Sequence, residues 1–319
     1  MRIGVFTPLL SQFPLEEVLK KLQSHGISTV ELATGNYPGD AHCKLSMLED
    51  RAGLREFKQK LADYGFTISA LSCHGNPIHP DRDYAKKNQE VSRKTIRLAE
   101  KLGVSTVVDF SGCPGDSAHS KRPNWVTCPW PPEHLETLQW QWEKVVTPFW
   151  TKHAKFAEDH GVRVAVEMHP GFVVYSPETM LKLREIAGKA VGCNYDPSHM
   201  FWQGIDPIAA IRILGDAILH VHAKDTQIYS ANLPLTGVLD TKPYTDERKR
   251  SWNFRTVGFG HGEEWWREFV STLRMFGYDN VLSIEHEDGL LSASEGLARA
   301  ASFLNGIVPQ EQAGAAWWV

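Results

Sequence analysis

Short runs of β-branched and apolar residues alternate along the chain with amphipathic stretches, the pattern of repeated βα units around a parallel sheet. Eight such runs stand out: Ile3 to Thr7, Thr29 to Ala33, Thr67 to Ser72, Thr106 to Phe110, Arg163 to Met168, Val191 to Tyr195, Ile218 to His222 and Val281 to His286. Between them lie helical patterns. The first, Pro14 to His25, sets Leu15, Val18, Leu19 and Leu22 on one stripe and stops before Gly26. Ser176-Pro177 and Asp206-Pro207 each place a capping residue before a first-turn proline and open two later helices. Eight units predict an α/β chain folded as one (β/α)8 TIM barrel over residues 1–308, with an apolar tail over 309–319.

Two connections are too long for simple βα turns: Ser111 to about Glu133 after the fourth strand, and Ala223 to about Gly260 after the seventh. Both leave the C-terminal ends of strands, where barrels build their active sites, and loops beyond about 12 residues are commonly lids or binding loops. Trp125, Trp130, Trp140, Trp142 and Trp150 cluster in or after the first of them. Stacking on a sugar is one use for them, and packing or a subunit contact explains them equally well. The tail, with Trp317 and Trp318, is apolar enough to dock on the body or on a neighbouring chain, so a homo-oligomer is among the expectations.

Charge narrows the partners. The 319 residues carry 34 basic and 38 acidic side chains, a formal charge of -4, which leaves no positive excess to hold nucleic acid or an anionic membrane. No apolar stretch reaches the ~18 residues of a membrane span. Cys43, Cys73, Cys113, Cys128 and Cys193 are odd in number and without a CxxC pair, which fits reduced thiols. The opening MRIGVFTPLL reads as a strand running into a turn, without the features of a secretory leader, and a cytoplasmic location is the simplest expectation.

Ionisable residues recur where the later strands end. Glu167 ends VRVAVEMHPG, Asp196 ends AVGCNYDPSH, His222 ends AILHVHAKD and Glu285 ends NVLSIEHEDG. Four successive strands thus aim a carboxylate or imidazole at one mouth. A single strand-end carboxylate commonly caps a helix or pairs with arginine, but four at one rim point to a metal. Three carboxylates and one imidazole favour Mn²⁺, with Mg²⁺ or Co²⁺ possible, over a thiolate-selected zinc. His74, His169, His199, Lys224 and Arg255 fall beside these positions as candidate substrate contacts, with Asp225 nearby. Each such histidine could equally be a satisfied structural group. His220 and His222 share a strand face by period two, so spacing alone leaves open which binds metal.

EMHPG, NYDPSHM, HVHAKD, RTVGFGHG and SIEHED together resemble the xylose isomerase-like barrel superfamily, in particular its sugar isomerase and epimerase branch. The resemblance spans nearly the whole chain and is most specific from Glu167 to Glu285. In ketose 3-epimerases a glutamate, an aspartate, a histidine and a second glutamate bind the metal. The resemblance therefore implies Glu167, Asp196, His222 and Glu285 as ligands and selects His222 over His220. It also implies Glu167 and Glu285 as the catalytic pair that moves protons, and His199 and Arg255 as contacts to substrate oxygens. The loop before Arg255 is much longer here than in those enzymes. Endonuclease IV-type relatives need further histidines and carboxylates, where this chain has Trp252, Asn253 and Phe254, with Asp109 and Ser111 at the end of the fourth strand.

The expected chemistry is proton transfer next to the carbonyl of a keto sugar, with a metal-stabilised enediolate between substrate and product. Return of the proton to the same carbon epimerises, and delivery to the neighbouring carbon isomerises. Metal binding lowers carboxylate basicity, so His74, His169 or His199 are alternative acids or bases. The same intermediate also serves a lyase or dehydratase that expels a β-substituent from a keto-inositol or a 3-keto-glycoside. A non-catalytic barrel subunit is the remaining alternative, and it predicts no metal requirement.

Overall fold

Strands of four to six residues, buried along most of their length, need cover on both faces, and the amphipathic helices between them supply it. A computed structural model describes residues 1–319 and closes eight parallel strands into a barrel. These are β1 (Arg2–Phe6), β2 (Thr29–Ala33), β3 (Thr67–Ser72), β4 (Thr106–Phe110), β5 (Arg163–Glu167), β6 (Val191–Tyr195), β7 (Ile218–Ala223) and β10 (Val281–Ile284). The TIM barrel read from the alternation is therefore the fold. Four strands have the expected bounds. The others move by one or two residues, the largest change being the last, which stops at Ile284 and leaves Glu285 and His286 on the rim.

The two Pro-opened helices form as expected. Asp206 accepts from the Ile208 amide at 2.8 Å, and Ser176 forms a reciprocal box with Thr179. The connection after β4 is tied down by the long helix that follows it. That helix is continuous through Pro132–Trp140, a π-helical stretch at Gln141–Val146 and Thr147–Asp159. From the π-helical stretch, Gln141 donates to the carbonyls of Gly115 (3.0 Å) and Asn124 (2.7 Å), and Trp150 donates to Ser111 O at 3.0 Å. The connection after β7 is also built, as an antiparallel ribbon of β8 (Asp225–Ile228) and β9 (Trp252–Arg255).

A small apolar group of Ala70, Val108, Ala165 and Leu219 is separate from the main core. Because β4 and β7 are not neighbours, a cluster that joins Val108 to Leu219 spans the inside of the barrel. Other buried positions on the strands are polar: Glu31, Ser72, Asn194, His220, His222 and Ser283. The tail does not dock on the body. Trp317 and Trp318 are 87% and 71% exposed, since the last helix ends at Ile307 and the short Gly- and Ala-rich segment after it offers little else to bury.

One buried histidine makes stability depend on acid. His153 lies between helices, 3.1 Å from Ser92 Oγ, and burial together with Arg93 lowers its pKa to about 4. Its folded value lies below its ordinary value of 6.5, so its contribution is intact above pH 6.5 and is lost as pH falls toward 4. That loss reaches about 3 kcal/mol at most. Thermal melts of His153→Gln are expected to lose less stability than wild type between pH 7 and 4.5; equal losses refute the assignment.

Candidate metal centre

The barrel closes in the order β5, β6, β7, β10 along one side, so the ends of these strands are adjacent. Glu167 is the last residue of β5, Asp196 follows β6, His222 lies near the end of β7 and Glu285 follows β10. One ligand atom from each lies within 4.8 Å of the others. Donors ~2.1 Å from a common ion stand at most ~4.2 Å apart, so small side-chain movements would bring all four within reach of one ion.

Two observations test whether these residues fit a cation. Asp196 Oδ2 and His222 Nδ1 are buried without a hydrogen-bond partner, although Asp196 Oδ1 accepts from the Ser198 amide at 2.8 Å. Buried groups of this kind are costly unless something absent from the chain itself satisfies them. The second is the charge balance. Burial alone would lower the His222 pKa, but Glu31 and Glu285 outweigh it and hold the imidazole well above the usual histidine range. Burial raises Asp196, only partly offset by His199 and Lys224. The carboxylates thus call for positive charge, and the donor set fits a divalent ion.

Above this floor lies a cavity of about 420 Å³, within the usual size range for a small-molecule site. Phe6, Leu9, Tyr37, Pro38 and Phe110 are the apolar part of its lining. Glu167, Glu285, His74, His169, Lys224 and Glu287 are among the polar part, with the His74 and His169 rings packed against Phe110. No tryptophan lines it; Trp142 and Trp150 are core residues and Trp130 is exposed.

The expected substrate contacts divide by position. His74, His169 and Lys224 line the cavity. Lys224 is buried, with Nζ 2.8 Å from Glu287, 3.2 Å from Glu285 and 3.6 Å from Asp196. Burial alone would lower its pKa, but Glu285, Glu287 and Asp196 hold it well above the ordinary lysine value. His199 lies beneath the cavity, its Nε2 3.2 Å from both Glu167 Oε1 and Asp196 Oδ2. Arg255 stands away from the cavity. The β8–β9 pairing carries it to the rim, where its guanidinium meets Glu247, Asp288 and Tyr229.

The lone pairs of Glu167 are largely committed, whereas Glu285 accepts one hydrogen bond, from Lys224. Glu167 accepts from His74 Nε2 (3.0 Å), Asn194 Nδ2 (3.0 Å) and His199 Nε2 (3.2 Å). Burial works against its ionisation, yet His199, His222 and His74 hold it well below the usual range. Burial likewise opposes ionisation of Glu285, and Lys224 and His222 outweigh it. His169 differs. Its Nδ1 lies 2.6 Å from the Pro170 carbonyl, which can only accept, so Nδ1 carries the proton and Nε2 keeps a free lone pair. Burial lowers its pKa and so favours that neutral form, and Glu167 counters this only in part.

Two further acids organise the site from behind. Glu31, fully buried on β2, lies beneath His222, a role that the expected site residues did not include. Its signal in the sequence is an acid inside the strand TVELA. Asp225 is a structural staple. It accepts from the amides of Gly258 (3.1 Å), Gly260 (3.1 Å) and His261 (2.9 Å) and from Trp266 Nε1 (3.2 Å), which accounts for the GFGHG turn. Gly260 also has to be small, because a Cβ there would lie 2.3 Å from the Thr226 carbonyl oxygen. Asp225→Ala strands these donors and is expected to cost at least about 3 kcal/mol in thermal or denaturant unfolding. Its Co²⁺ affinity should stay within a few-fold of wild type; a melt unchanged from wild type would show that the turn holds itself.

Similar proteins agree with this architecture. A family model described as a xylose isomerase-like TIM barrel matches residues 19–306. The Bacillus subtilis protein YfiH, itself uncharacterized, is 39% identical over 314 residues, which is 97% of this chain and 100% of that protein. A crystal structure of IolI with a bound zinc atom superposes with a TM-score of 0.67 at 18% identity, covering 98% of this chain and 100% of IolI. A D-tagatose 3-epimerase-like protein gives 0.63 at 20% identity over 96% of this chain and 98% of the other. These two structures share the fold. The match over nine-tenths of the sequence, joined to the closed barrel, makes this chain a member of the xylose isomerase-like TIM barrel family.

Proposed function

We propose that this protein is a divalent-metal-dependent sugar isomerase or epimerase that moves a proton next to the carbonyl of a keto sugar. The observation that carries the reading is the four-donor cluster, with Asp196 Oδ2 and His222 Nδ1 unpartnered, at the floor of a cavity of about 420 Å³. Glu167, Asp196, His222 and Glu285 hold the ion, Mn²⁺ in preference to Mg²⁺ or Co²⁺. A divalent ion there polarises a carbonyl and acidifies the neighbouring C–H.

The chain's own residues divide the remaining work. His169 Nε2 accepts the proton, because its lone pair is free while those of Glu167 are engaged. Lys224, cationic and on the cavity wall, holds a substrate oxygen, and His74 stands beside Glu167 as a further donor. The apolar lining of Phe6, Tyr37 and Phe110 takes the carbon face of the substrate and keeps water from the reacting carbon.

A second reading keeps the same first step. His169 lines the cavity with one ring nitrogen turned to a carbonyl and the other free, and one base suffices to start an elimination, whereas epimerisation needs a donor on the opposite face. The test is NMR in D₂O with ketoses, keto-inositols and 3-keto-glycosides, on metal-free protein reloaded with Mn²⁺. Metal-dependent deuterium uptake with retained composition supports isomerisation or epimerisation. Loss of water or of an aglycone makes the enzyme a lyase, and turnover or binding indifferent to chelation removes the metal reading.

A further inference from the structure

The geometry points to Glu31 as the positioning residue that fixes which nitrogen of His222 faces the metal site, an inference that rests on the metal reading above. Glu31 is 0% exposed, lies inside β2 and does not line the cavity, so it cannot touch substrate. Both its oxygens face His222 Nε2, at 3.1 and 3.0 Å. A carboxylate only accepts, so Nε2 donates, and Nδ1 is the nitrogen left to present a lone pair to a cation. That nitrogen is also the partnerless one, 3.0 Å from Glu285 and 3.3 Å from Glu167.

Glu31 is itself held. Ser72 Oγ donates to one of its oxygens and Ser283 Oγ to the other, the latter at 2.6 Å. The serines come from β3 and β10, so the carboxylate is pinned from both sides of the barrel beneath His222. Glu31 could also be read as an ion ligand with His220 and His222, since their donor atoms form a compact group. That reading fails because the donors are already engaged. His220 Nε2 lies 3.2 Å from Ser69 Oγ and its Nδ1 2.8 Å from Asn194 Oδ1, so both ring nitrogens are in hydrogen bonds. Both oxygens of Glu31 already accept from donors of the protein. His220 instead orients Asn194, whose Nδ2 donates to Glu167. Interior hydrogen bonds thus set the direction of two of the four ligands, and Glu31 governs the histidine. Such partners typically change metal affinity by about 10- to 100-fold.

The experiment titrates metal-free wild type, Glu31→Leu and Glu31→Gln with Co²⁺, reading affinity and visible absorption, with circular dichroism to report folding. Glu31→Leu is expected to bind Co²⁺ about 10- to 100-fold more weakly with an altered spectrum. Glu31→Gln, whose amide oxygen still accepts from Nε2, should retain most of the affinity. A folded Glu31→Leu with wild-type affinity and spectrum overturns the positioning role while leaving the metal centre intact. Wild type that binds no Co²⁺ overturns both. An arm that needs no variant is ¹⁵N NMR of the Zn²⁺-loaded wild type: a proton on His222 Nε2 with zinc at Nδ1 supports the assignment, and zinc at Nε2 overturns it.

Discussion

Asp196→Asn is expected to raise the melting temperature of the metal-free protein and to abolish the further rise that a divalent ion gives wild type. The two effects have opposite signs for one reason. Asp196 is fully buried, its Oδ2 has no hydrogen-bond partner, and burial raises its pKa against the partial offset of His199 and Lys224, so the metal-free fold bears an incompletely compensated carboxylate. Asparagine keeps the shape and removes the charge. The same charge attracts the ion, so affinity should fall by at least about 100-fold, and activity with occupancy. At 100 times its Kd, a ligand of the native state adds about 2.7 kcal/mol of stability. Wild type should show that rise with Mn²⁺, and Asp196→Asn should show almost none at the same concentration. Equal shifts for both proteins would falsify a metal at this position.

His169→Gln should separate proton transfer from metal binding. If Nε2 is the base, kcat falls by about 10²–10⁴-fold, the usual contribution of a positioned acid–base group. Co²⁺ affinity should remain within about threefold, because His169 Nδ1 is spent on the Pro170 carbonyl and the four-donor cluster does not include the ring. Glu167→Gln should do the reverse and lose the metal first. A His169→Gln enzyme within tenfold of wild-type kcat would return the proton-transfer role to the glutamates.

Much of this architecture is legible in the chain because its strands are short and apolar and its helices amphipathic, signals that survive without tertiary context. The positions that approach one another at the mouth are legible for the same reason: an ionisable residue at the end of a buried strand has little else to do. Strand period could not choose between His220 and His222, since both share a face. In the structure the two differ in depth: His220 meets Asn194 and Ser69, and His222 reaches Glu167 and Glu285. Glu31 sits inside a strand, at a position whose pattern signals core rather than chemistry. The family's spacing puts Arg255 at the substrate, but a ribbon lies in the loop before it and carries the guanidinium to Glu247 and Asp288. Hydrogen-bond direction, which singles out His169, is written in no spacing at all.

The ribbon has one more consequence. Its two strands run antiparallel from Asp225 paired with Arg255 to Ile228 paired with Trp252, and Asp225 staples its base to the GFGHG turn. The chain between them leaves and re-enters at a single narrow neck and contributes nothing to the lining of the cavity. Segment 230–249 is nonetheless tied to the rim, by Glu247 on Arg255 and Asn253 and by the Tyr244 ring on Phe254, so exchanging it would leave the residues that line the cavity in place but free the Arg255 guanidinium from one of its carboxylates.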